Sequence, residues 1–179
     1  MPNTRRIFFG LAAVLCLGLG VAVWWLWRHP YAADPLVYRA APDYVFNRLD
    51  APEAQFKPSD WLGRPYLVSF FASWCRPCHA EHPVLMELAR SSGIALVGIA
   101  YRDRPEDAKR MLQKMGNPYQ LLLSDYSGKA AVNWGLRGVP ESFIVDGAGQ
   151  IVWHYVGPLT QQVAADQILP LAAALIGAE

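Results

Sequence analysis

Two stretches of the chain are apolar at almost every position and predict strands that are buried on both faces. They span residues 66–71 and 94–100. Because successive side chains of a strand point to opposite faces, a continuous apolar run requires a sheet that is covered on both sides. A helical pattern follows each strand, and glycines end these helices at Gly93 and Gly116. The second helix is expected to start at Asp103, Pro105, Glu106 and Asp107. The repeated order of strand and helix predicts an α/β fold with parallel strands at the centre of its sheet.

The C-terminal part of the chain predicts an antiparallel edge to this sheet and a closing helix. Residues 142–145 and 151–155 flank the sequence Asp-Gly-Ala-Gly, which is typical of a hairpin turn. Thr160 is the expected N-cap of a last helix, which reaches about residue 176 and should bend at Pro170. Shorter elements complete the layout: strands at residues 44–46 and near Phe56, a strand at 120–123 and a helix at 128–134. The sequence therefore predicts a mixed central sheet flanked by helices.

The N-terminal region contains an apolar run at residues 7–27 that carries no charge. At about 1.5 Å per helical residue, this run is roughly 31 Å long, which matches the hydrocarbon core of a bilayer. Arg5 and Arg6 precede the run and favour a cytoplasmic N-terminus with an exported C-terminal part. A cleaved signal peptide is the alternative, but it would have a shorter apolar region and a small-residue cleavage site. We therefore predict an uncleaved signal-anchor helix.

Composition divides the chain into three parts. Residues 1–28 are the predicted membrane anchor, residues 29–41 are a tether rich in proline and alanine, and residues 42–179 form the folded domain. The chain has a net charge of +1, but 13 of its 16 basic residues and all 15 acidic residues lie beyond residue 30. The folded domain is therefore mildly acidic, which argues against a nucleic acid partner.

A Cys-x-x-Cys sequence lies where the first central strand passes into its helix. Two cysteines at this spacing in the first turn of a helix can close a disulfide, and the helix N-terminus stabilises negative charge on the first sulfur. Cys75 is therefore the candidate nucleophile and Cys78 the candidate resolving thiol. Arg76 adds a positive charge, and Pro77 occupies an early helical position where a missing N–H costs nothing. The motif predicts thiol–disulfide chemistry.

Two metal sites and a haem site are the alternatives for these cysteines. A zinc site needs further Cys or His ligands, and the chain has no second cysteine pair, although His79 and His82 lie on the same helix. The five residues that begin at Cys75 match the c-type haem attachment pattern, which would also require a pocket for the ring. A copper relay would need His154, which lies far along the chain. The strand and helix around the motif favour dithiol chemistry, and we predict neither a metal nor a cofactor.

Gly138-Val139-Pro140 directly precedes the predicted hairpin. Together with Trp74 and the cysteine pair, this segment resembles the thioredoxin superfamily. The resemblance implies a thioredoxin-like fold in which the Pro140 peptide bond is cis and faces the cysteines. It also implies that Trp74, Val139 and Pro140 bind the substrate backbone.

Three longer segments narrow the resemblance: Ala80-Glu81-His82-Pro83, Gly116-Asn117-Pro118-Tyr119 and Gly138-Val139-Pro140-Glu141-Ser142-Phe143. Over residues 43–171 the chain resembles the CcmG/DsbE-type thiol:disulfide interchange proteins, the membrane-tethered group of cytochrome c maturation. The resemblance implies one additional inserted strand and helix in the thioredoxin-like fold. It implies a single-pass protein of the bacterial inner membrane, with its N-terminus in the cytoplasm and its catalytic domain in the periplasm. The implied partners are apocytochrome c, the cytochrome c maturation proteins and a membrane thiol transporter as electron donor.

Two acidic residues match the acidic active-site centre of that group. They are Glu81, one helical turn after Cys78, and Glu141, directly after Pro140. Buried carboxylates near the cysteines would raise the thiol pKa values by like-charge repulsion and could exchange the proton of the resolving thiol. Ordinary thioredoxins place a buried acid six residues before the first cysteine, where this chain has Ser69, so Glu81 is the available proton carrier. The alternative is that both acids are exposed surface residues.

One departure from the group concerns the two residues between the cysteines. Arg76 and Pro77 stand where better-known members commonly have proline followed by a small polar residue, and this pair tunes the redox poise. The function that we predict is reduction of apocytochrome c disulfides, or of those of its maturation partner, by a Cys75–Cys78 dithiol. The alternatives are a periplasmic dithiol oxidase, a general thioredoxin-like reductase, and a non-enzymatic module that binds apocytochrome or haem.

Overall fold

The computed structural model describes residues 17–21, 36–51 and 53–177. The chain divides into two compact units, Met1–Asp34 and Pro35–Glu179. In the first unit, residues 17–21 are helical, and the rest of the predicted anchor lies outside the described residues. Within the described ranges, no helix has both the length and the apolar character that a membrane span requires.

A mixed β-sheet forms the centre of the second unit. Its strands within the described residues are β1 (Phe46–Arg48), β2 (Gln55–Phe56), β3 (Tyr66–Phe71), β4 (Ala95–Tyr101), β5 (Leu121–Asp125), β6 (Glu141–Val145) and β7 (Ile151–Val156). They are ordered β2-β1-β5-β4-β3-β6-β7 across the sheet. The three central strands β5, β4 and β3 are parallel, whereas β6 and β7 on one side and β1 and β2 on the other are antiparallel. The predicted mixed sheet with a parallel centre is therefore confirmed.

The helices alternate with these strands as the sequence predicted. They are a 3₁₀ helix at Pro58–Trp61, α1 (Arg76–Ser91), α2 (Pro105–Met115), α3 (Lys129–Trp134), α4 (Gln161–Val163) and α5 (Leu169–Ile176), with a π-helical turn at Ala164–Ile168 between the last two. The Thr160 hydroxyl accepts the Val163 N–H at 3.2 Å and is the predicted N-cap. Pro170 cannot donate a backbone hydrogen bond, and the helix departs from α geometry in the turn before it.

Two elements begin at a different residue from the one that the sequence predicted. The first strand begins at Phe46 rather than at residue 44, because the Tyr44 N–H donates to the Pro42 carbonyl at 2.8 Å in a tight turn. Asp103 was expected to belong to the start of a helix, but α2 begins at Pro105 and has Arg104 at its N-cap. The Asp103 side chain is used elsewhere, in the candidate active site.

The sheet is buried on both faces, which explains the continuous apolar sequence of β3 and β4. On the face that we call the α1 face, sheet residues pack against α1, α2 and the C-terminal helices; they include Leu67, Phe71, Leu96, Leu122 and Ile144. On the opposite face, the α3 face, the core includes Val68, Phe70, Val97, Leu123, Trp134 and Phe143. Alternate residues of one strand therefore belong to different cores.

The close approach of Tyr119 to β4 requires glycine at position 98. A Cβ atom on Gly98 would lie 2.6 Å from the Tyr119 ring, which is itself buried and stacked on Phe71 with ring centroids 5.1 Å apart. We expect Gly98→Ala to lower the free energy of unfolding by about 1–3 kcal/mol, because this core has no room for the added methyl group. Urea unfolding of the variant and the unchanged chain measures the difference.

Gly147→Ala is the matched control for this prediction. A Cβ atom on Gly147 would meet its nearest neighbour, a backbone carbon of Gly63, at an ordinary 3.4 Å. If Gly98→Ala unfolds at the same urea concentration as Gly147→Ala, the proposed crowding by Tyr119 is wrong.

Candidate active site

The cysteine pair lies at the junction of β3 and α1, at the end of the parallel strands. Cys75 is the N-cap residue of α1, and its Sγ accepts the Cys78 N–H at 3.1 Å. The two cysteines form a disulfide with a Cα–Cα distance of 5.3 Å. Since the Cys78 N–H points towards the Cys75 sulfur at the helix N-terminus, it can stabilise a thiolate there once the disulfide is reduced. This geometry suits Cys75 as nucleophile and Cys78 as resolving thiol.

Both cysteines are buried, whereas two residues next to Cys75 are exposed. Cys75 is 3% exposed and Cys78 is 1% exposed, whereas the neighbouring Trp74 is 59% exposed. Arg76, between the cysteines, is also exposed. A disulfide partner would therefore meet Trp74 and Arg76 before it meets the sulfur of Cys75.

The predicted substrate-binding residues lie at the same edge of the sheet. Strand β6 begins at Glu141, which pairs with Phe70 near the end of β3. Pro140 precedes it and therefore lies beside the end of β3, next to the turn that leads to Cys75. The Val139–Pro140 peptide bond is cis. The topology thus brings Pro140 to the cysteine pair across a long stretch of sequence.

Glu81 is buried beneath the cysteine pair on the α1 face. Its side chain is 1% exposed, and its Oε2 accepts the Leu159 N–H at 2.8 Å. Among the described residues, none lies within hydrogen-bond distance of Oε1. Burial raises the pKa of Glu81 from its ordinary 4.5 to about 7, against the opposing effect of the Leu159 hydrogen bond. A carboxyl group with this pKa, one helical turn after Cys78, can accept and return a proton near neutral pH.

Glu141 occupies a different environment from Glu81. It shares the α3 face of the sheet with Phe143, so β6 separates it from helix α1. Its Oε1 accepts a hydrogen bond from His154 Nε2, and its Oε2 accepts the N–H groups of Arg137 at 2.8 Å and Gly138 at 3.3 Å.

The structure therefore keeps the two predicted acids apart. Both are buried rather than exposed, but only Glu81 lies on the face that carries the cysteine helix. Glu141 instead holds the backbone of the loop that precedes Pro140. Its two carboxylate oxygens are satisfied by these partners, so its contacts fit a loop-fixing role better than proton exchange with the thiols.

A hydrogen-bonded brace at Ser73 was missed by sequence reasoning. Asp103 is 4% exposed; its Oδ2 accepts the Ser73 N–H and its Oδ1 accepts the Ser73 hydroxyl at 2.8 Å. The Ser73 carbonyl accepts His79 Nε2 at 2.8 Å. Every polar group of Ser73 is thus bound, two residues before Cys75. The local sequence around Asp103 resembles a helix start, so only the tertiary contact reveals this role.

Arg102, the residue before Asp103, binds the side chain of Trp74. Arg102 has a left-handed backbone conformation, with φ of 45°, which is uncommon for a residue with a side chain. Its N–H donates to the Asp125 carbonyl at 3.0 Å, and its carbonyl accepts the indole N–H of Trp74 at 3.2 Å. The loop after β4 therefore fixes both Ser73 and Trp74, the two residues that lead into Cys75.

The histidines considered as metal or haem ligands all have protein partners. His79 binds the Ser73 carbonyl, His82 Nε2 donates to the Gly116 carbonyl at 3.0 Å, and His154 binds Glu141. Burial also lowers the pKa of His82. In the part of the chain that the structure describes, no three Cys, His, Asp or Glu side chains are grouped as metal ligands. All three histidines are therefore engaged by other groups of the protein.

Comparison with known proteins points to one group. Residues 37–169 match the family model described as Redoxin. The thiol:disulfide interchange protein DsbE of Xylella fastidiosa is 37% identical over 147 residues, which cover 82% of this chain and 75% of that protein. The thiol:disulfide interchange protein HelX of Rhodobacter capsulatus is 45% identical over 139 residues, which cover 77% of this chain and 78% of that protein.

A solved structure is similar over the same region. It is a thiol:disulfide interchange protein of the thioredoxin family from Chlorobium tepidum, with a TM-score of 0.61 at 28% identity. The match covers 78% of this chain and 99% of that chain. The predicted thioredoxin-like α/β fold is therefore confirmed.

The raised pKa of Glu81 predicts a pH-dependent stability. Glu81 ionises near pH 4.5 in the unfolded chain and near pH 7 in the folded chain, so its protonated form favours folding. The resulting stabilisation of the folded state is fully present below pH 4.5 and is lost as the pH rises through 7. Its total is about 3 kcal/mol. We expect Glu81→Gln, which cannot ionise, to remove this part of the decline in unfolding free energy between pH 4.5 and 8.

Denaturant unfolding of the oxidised chain at several pH values measures this effect. Glu87→Gln, at an exposed position on the same helix, is the control and should leave the pH profile unchanged. A Glu81→Gln profile as steep as that of the unchanged chain would contradict the assignment.

The brace at Ser73 predicts that Asp103 positions the cysteine turn. We expect Asp103→Ala to slow disulfide exchange by about tenfold to a hundredfold. Without the brace the Cys75 sulfur can shift, and a displacement of roughly 1 Å at a reacting atom lowers the rate by this factor. Asp103→Asn should retain most of the rate, since an amide can bind both the N–H and the hydroxyl of Ser73. The rate of reaction of the reduced chain with a small neutral disulfide is the measurement.

Glu106→Ala removes an exposed acid from the start of α2 and serves as the control for Asp103. The positioning role is refuted if Asp103→Ala reacts as fast as this control, or if Asp103→Asn is as slow as Asp103→Ala.

Proposed function

The chain belongs to the redoxin family and to the DsbE-type thiol:disulfide interchange proteins, and from this premise we propose that it is a membrane-tethered periplasmic reductant of disulfides in cytochrome c maturation. It is a thiol:disulfide oxidoreductase. The observation that carries the proposal is the Cys75–Cys78 pair at the N-terminus of α1, beside Pro140. The proposed substrate is the disulfide between the haem-binding cysteines of apocytochrome c, or a disulfide of the protein that holds it.

The reaction consists of two thiol–disulfide exchanges. The Cys75 thiolate attacks one sulfur of the substrate disulfide, so that a mixed disulfide forms and the other substrate sulfur leaves as a thiolate. The Cys78 thiolate then attacks the Cys75 sulfur, which releases the second substrate sulfur and closes the Cys75–Cys78 disulfide. Two electrons pass from the protein to the substrate, and the two substrate thiolates take up protons.

Glu81 is the proposed proton carrier for the second exchange. Cys78 must lose its proton before it can attack, and the nearest buried carboxyl group along the helix is that of Glu81. Its pKa of about 7 allows it to take this proton and to return it when the pair is reduced again. Glu141 supports the reaction indirectly in this proposal, by holding the loop that presents Pro140.

The apolar run at residues 7–27 supports the proposed membrane anchor. With two arginines before it, this run favours a single crossing that leaves the catalytic domain in the periplasm. Each turnover leaves the protein oxidised, so it needs a dithiol donor, for which we propose a membrane thiol transporter. A tether holds the domain near both partners and raises their effective concentration, so that weak contacts suffice.

A dithiol oxidase is the second candidate, and Arg76 is the observation that favours it. Arg76 is exposed between the cysteines and adds positive charge to the helix N-terminus, which lowers the pKa of a neighbouring thiol. A strongly stabilised Cys75 thiolate would make the disulfide oxidising. The reductase and the oxidase therefore differ in the reduction potential of the pair.

The reduction potential of the Cys75–Cys78 pair is the deciding measurement. We expect a potential near that of thioredoxin, about −270 mV, when the full chain is equilibrated with graded dithiol buffers and the fraction reduced is measured by alkylation and mass spectrometry. Cys78→Ser should accumulate the mixed disulfide with a disulfide-containing apocytochrome peptide, because the resolving step is lost.

Cys75→Ser is the matched control, since it lacks the nucleophile and should form no mixed disulfide. A potential towards about −120 mV would replace the reductase with the oxidase. A pair with no measurable dithiol couple, in a chain that still binds the peptide, would instead indicate the binding module.

A further inference from the structure

A cleft of about 350 Å³ opens directly beside the cysteine turn. On the active-site side it is lined by Ser73 and His79, the two residues that flank the cysteine segment and bind each other. On the other side it is lined by helix α2, where the half-buried Met115 supplies apolar surface and the largely buried Met111 lies behind it. Methionine side chains adapt to different apolar partners, so this lining suits a polypeptide rather than a ligand of one shape.

The charged residues of the cleft are mainly basic. Arg110 and Lys114 lie one helical turn apart on α2 and are both exposed. The acid that lines the cleft is Asp107, which pairs with Arg110 at 2.7 Å. An exposed pair of this kind contributes little to stability, so a carboxylate of a bound polypeptide can replace Asp107 at little cost.

The surface between this cleft and the nucleophile is also positively charged. Arg76, Arg102 and Arg104 are exposed, and none of them forms an ion pair with another residue that the structure describes. The acids of the site are withdrawn from this surface: Glu81, Asp103 and Glu141 are at most 4% exposed. Glu106, at the start of α2, is an exposed acid next to these arginines, so the three cations outnumber it. The mildly acidic domain therefore has a locally basic surface around its cysteine pair.

The cleft and Pro140 lie on opposite sides of the cysteine pair. Strand β3 leads to the cysteines and is flanked by β6, which begins after Pro140, and by β4, whose following loop reaches α2. A chain segment that binds at Pro140 and continues across the pair therefore arrives at the cleft. The contact would come from residues next to the substrate disulfide, not from the disulfide itself.

We propose that this cleft, with Arg110 and Lys114 at its rim, binds an acidic segment of the polypeptide whose disulfide Cys75 attacks. The inference rests on the proposed function, because it requires that the substrate is a protein disulfide. Carboxylates of the segment pair with the two cations, and an apolar side chain between them contacts Met115. The charges also steer the encounter, so the effect belongs chiefly to the rate of association and falls with added salt.

Two synthetic disulfide peptides test the proposal. They have the same disulfide, and the residues that flank it are either aspartate and glutamate or neutral serine and glutamine. We expect the reduced full chain to react about tenfold faster with the acidic peptide at low salt, and this advantage to shrink as salt is added. The measured quantity is the ratio of the second-order rate constants for the two peptides.

Charge reversal on α2 tests whether the preference for the acidic peptide arises at the cleft. The double variant Arg110→Glu, Lys114→Glu should abolish or invert the preference for the acidic peptide. The single variants Lys114→Glu and Lys109→Glu are the matched pair: each reverses one positive charge on the same helix, but Lys109 lines a different cavity with Asp50 and Leu122. Lys114→Glu should weaken the preference, and Lys109→Glu should keep that of the unchanged chain.

Three results would overturn the inference. They are equal rates for the two peptides in the unchanged chain, an equal loss of preference in Lys109→Glu and Lys114→Glu, and a preference that the double variant leaves intact. A fourth result concerns the electron donor: if the double substitution slows only the reduction of the oxidised chain by a dithiol protein, and not its reaction with the peptides, the cleft binds the donor and the inference is wrong. Failure of the unchanged chain to reduce even a small neutral disulfide would instead refute the proposed function.

Discussion

The structure depends on the two-sided pairing of strand β3. It is parallel to β4 on one side and antiparallel to β6 on the other, so the end of β3 meets the end of β4 and the beginning of β6 at one edge of the sheet. That edge receives the N-terminus of α1 with Cys75, the loop with Asp103 and the peptide of Pro140. Because all of the proposed chemistry occurs there, the pairing of one strand positions the whole site.

The three buried carboxylates near the cysteine pair differ in their hydrogen-bond partners, and this difference suits them to different roles. One oxygen of Glu81 has no hydrogen-bond partner among the residues that the structure describes, and burial raises the pKa of this carboxyl group, so it is suited to proton exchange. Both carboxylate oxygens of Asp103 and of Glu141 accept hydrogen bonds, from backbone N–H groups and from the side chains of Ser73 and His154. These contacts hold the two loops that meet at the cysteine pair. With these carboxylates turned inwards, the exposed charge around Cys75 is that of arginines, and this separation underlies the proposed preference for an acidic partner.

Local sequence was sufficient for the elements and for the reactive group. The apolar runs of β3 and β4 predicted strands buried on two sides, and Thr160 predicted the start of the last helix, because these features depend on neighbouring residues alone. The spacing of Cys75 and Cys78 determined the disulfide chemistry for the same reason. The first strand was misplaced because a tight turn at Tyr44 depends on a single backbone hydrogen bond, which leaves no pattern in the sequence.

The sequence by itself thus determined the α/β fold, the cysteine pair and the candidates Glu81, Glu141 and Pro140. The tertiary structure alone decided where these residues lie and what they contact. Which face of the sheet receives Glu141 depends on the register of β6 with β3, and the brace between Asp103 and Ser73 joins residues from two separate loops. A contact between distant segments depends on the path of the whole chain, whereas periodicity and spacing report only on residues that are close in sequence.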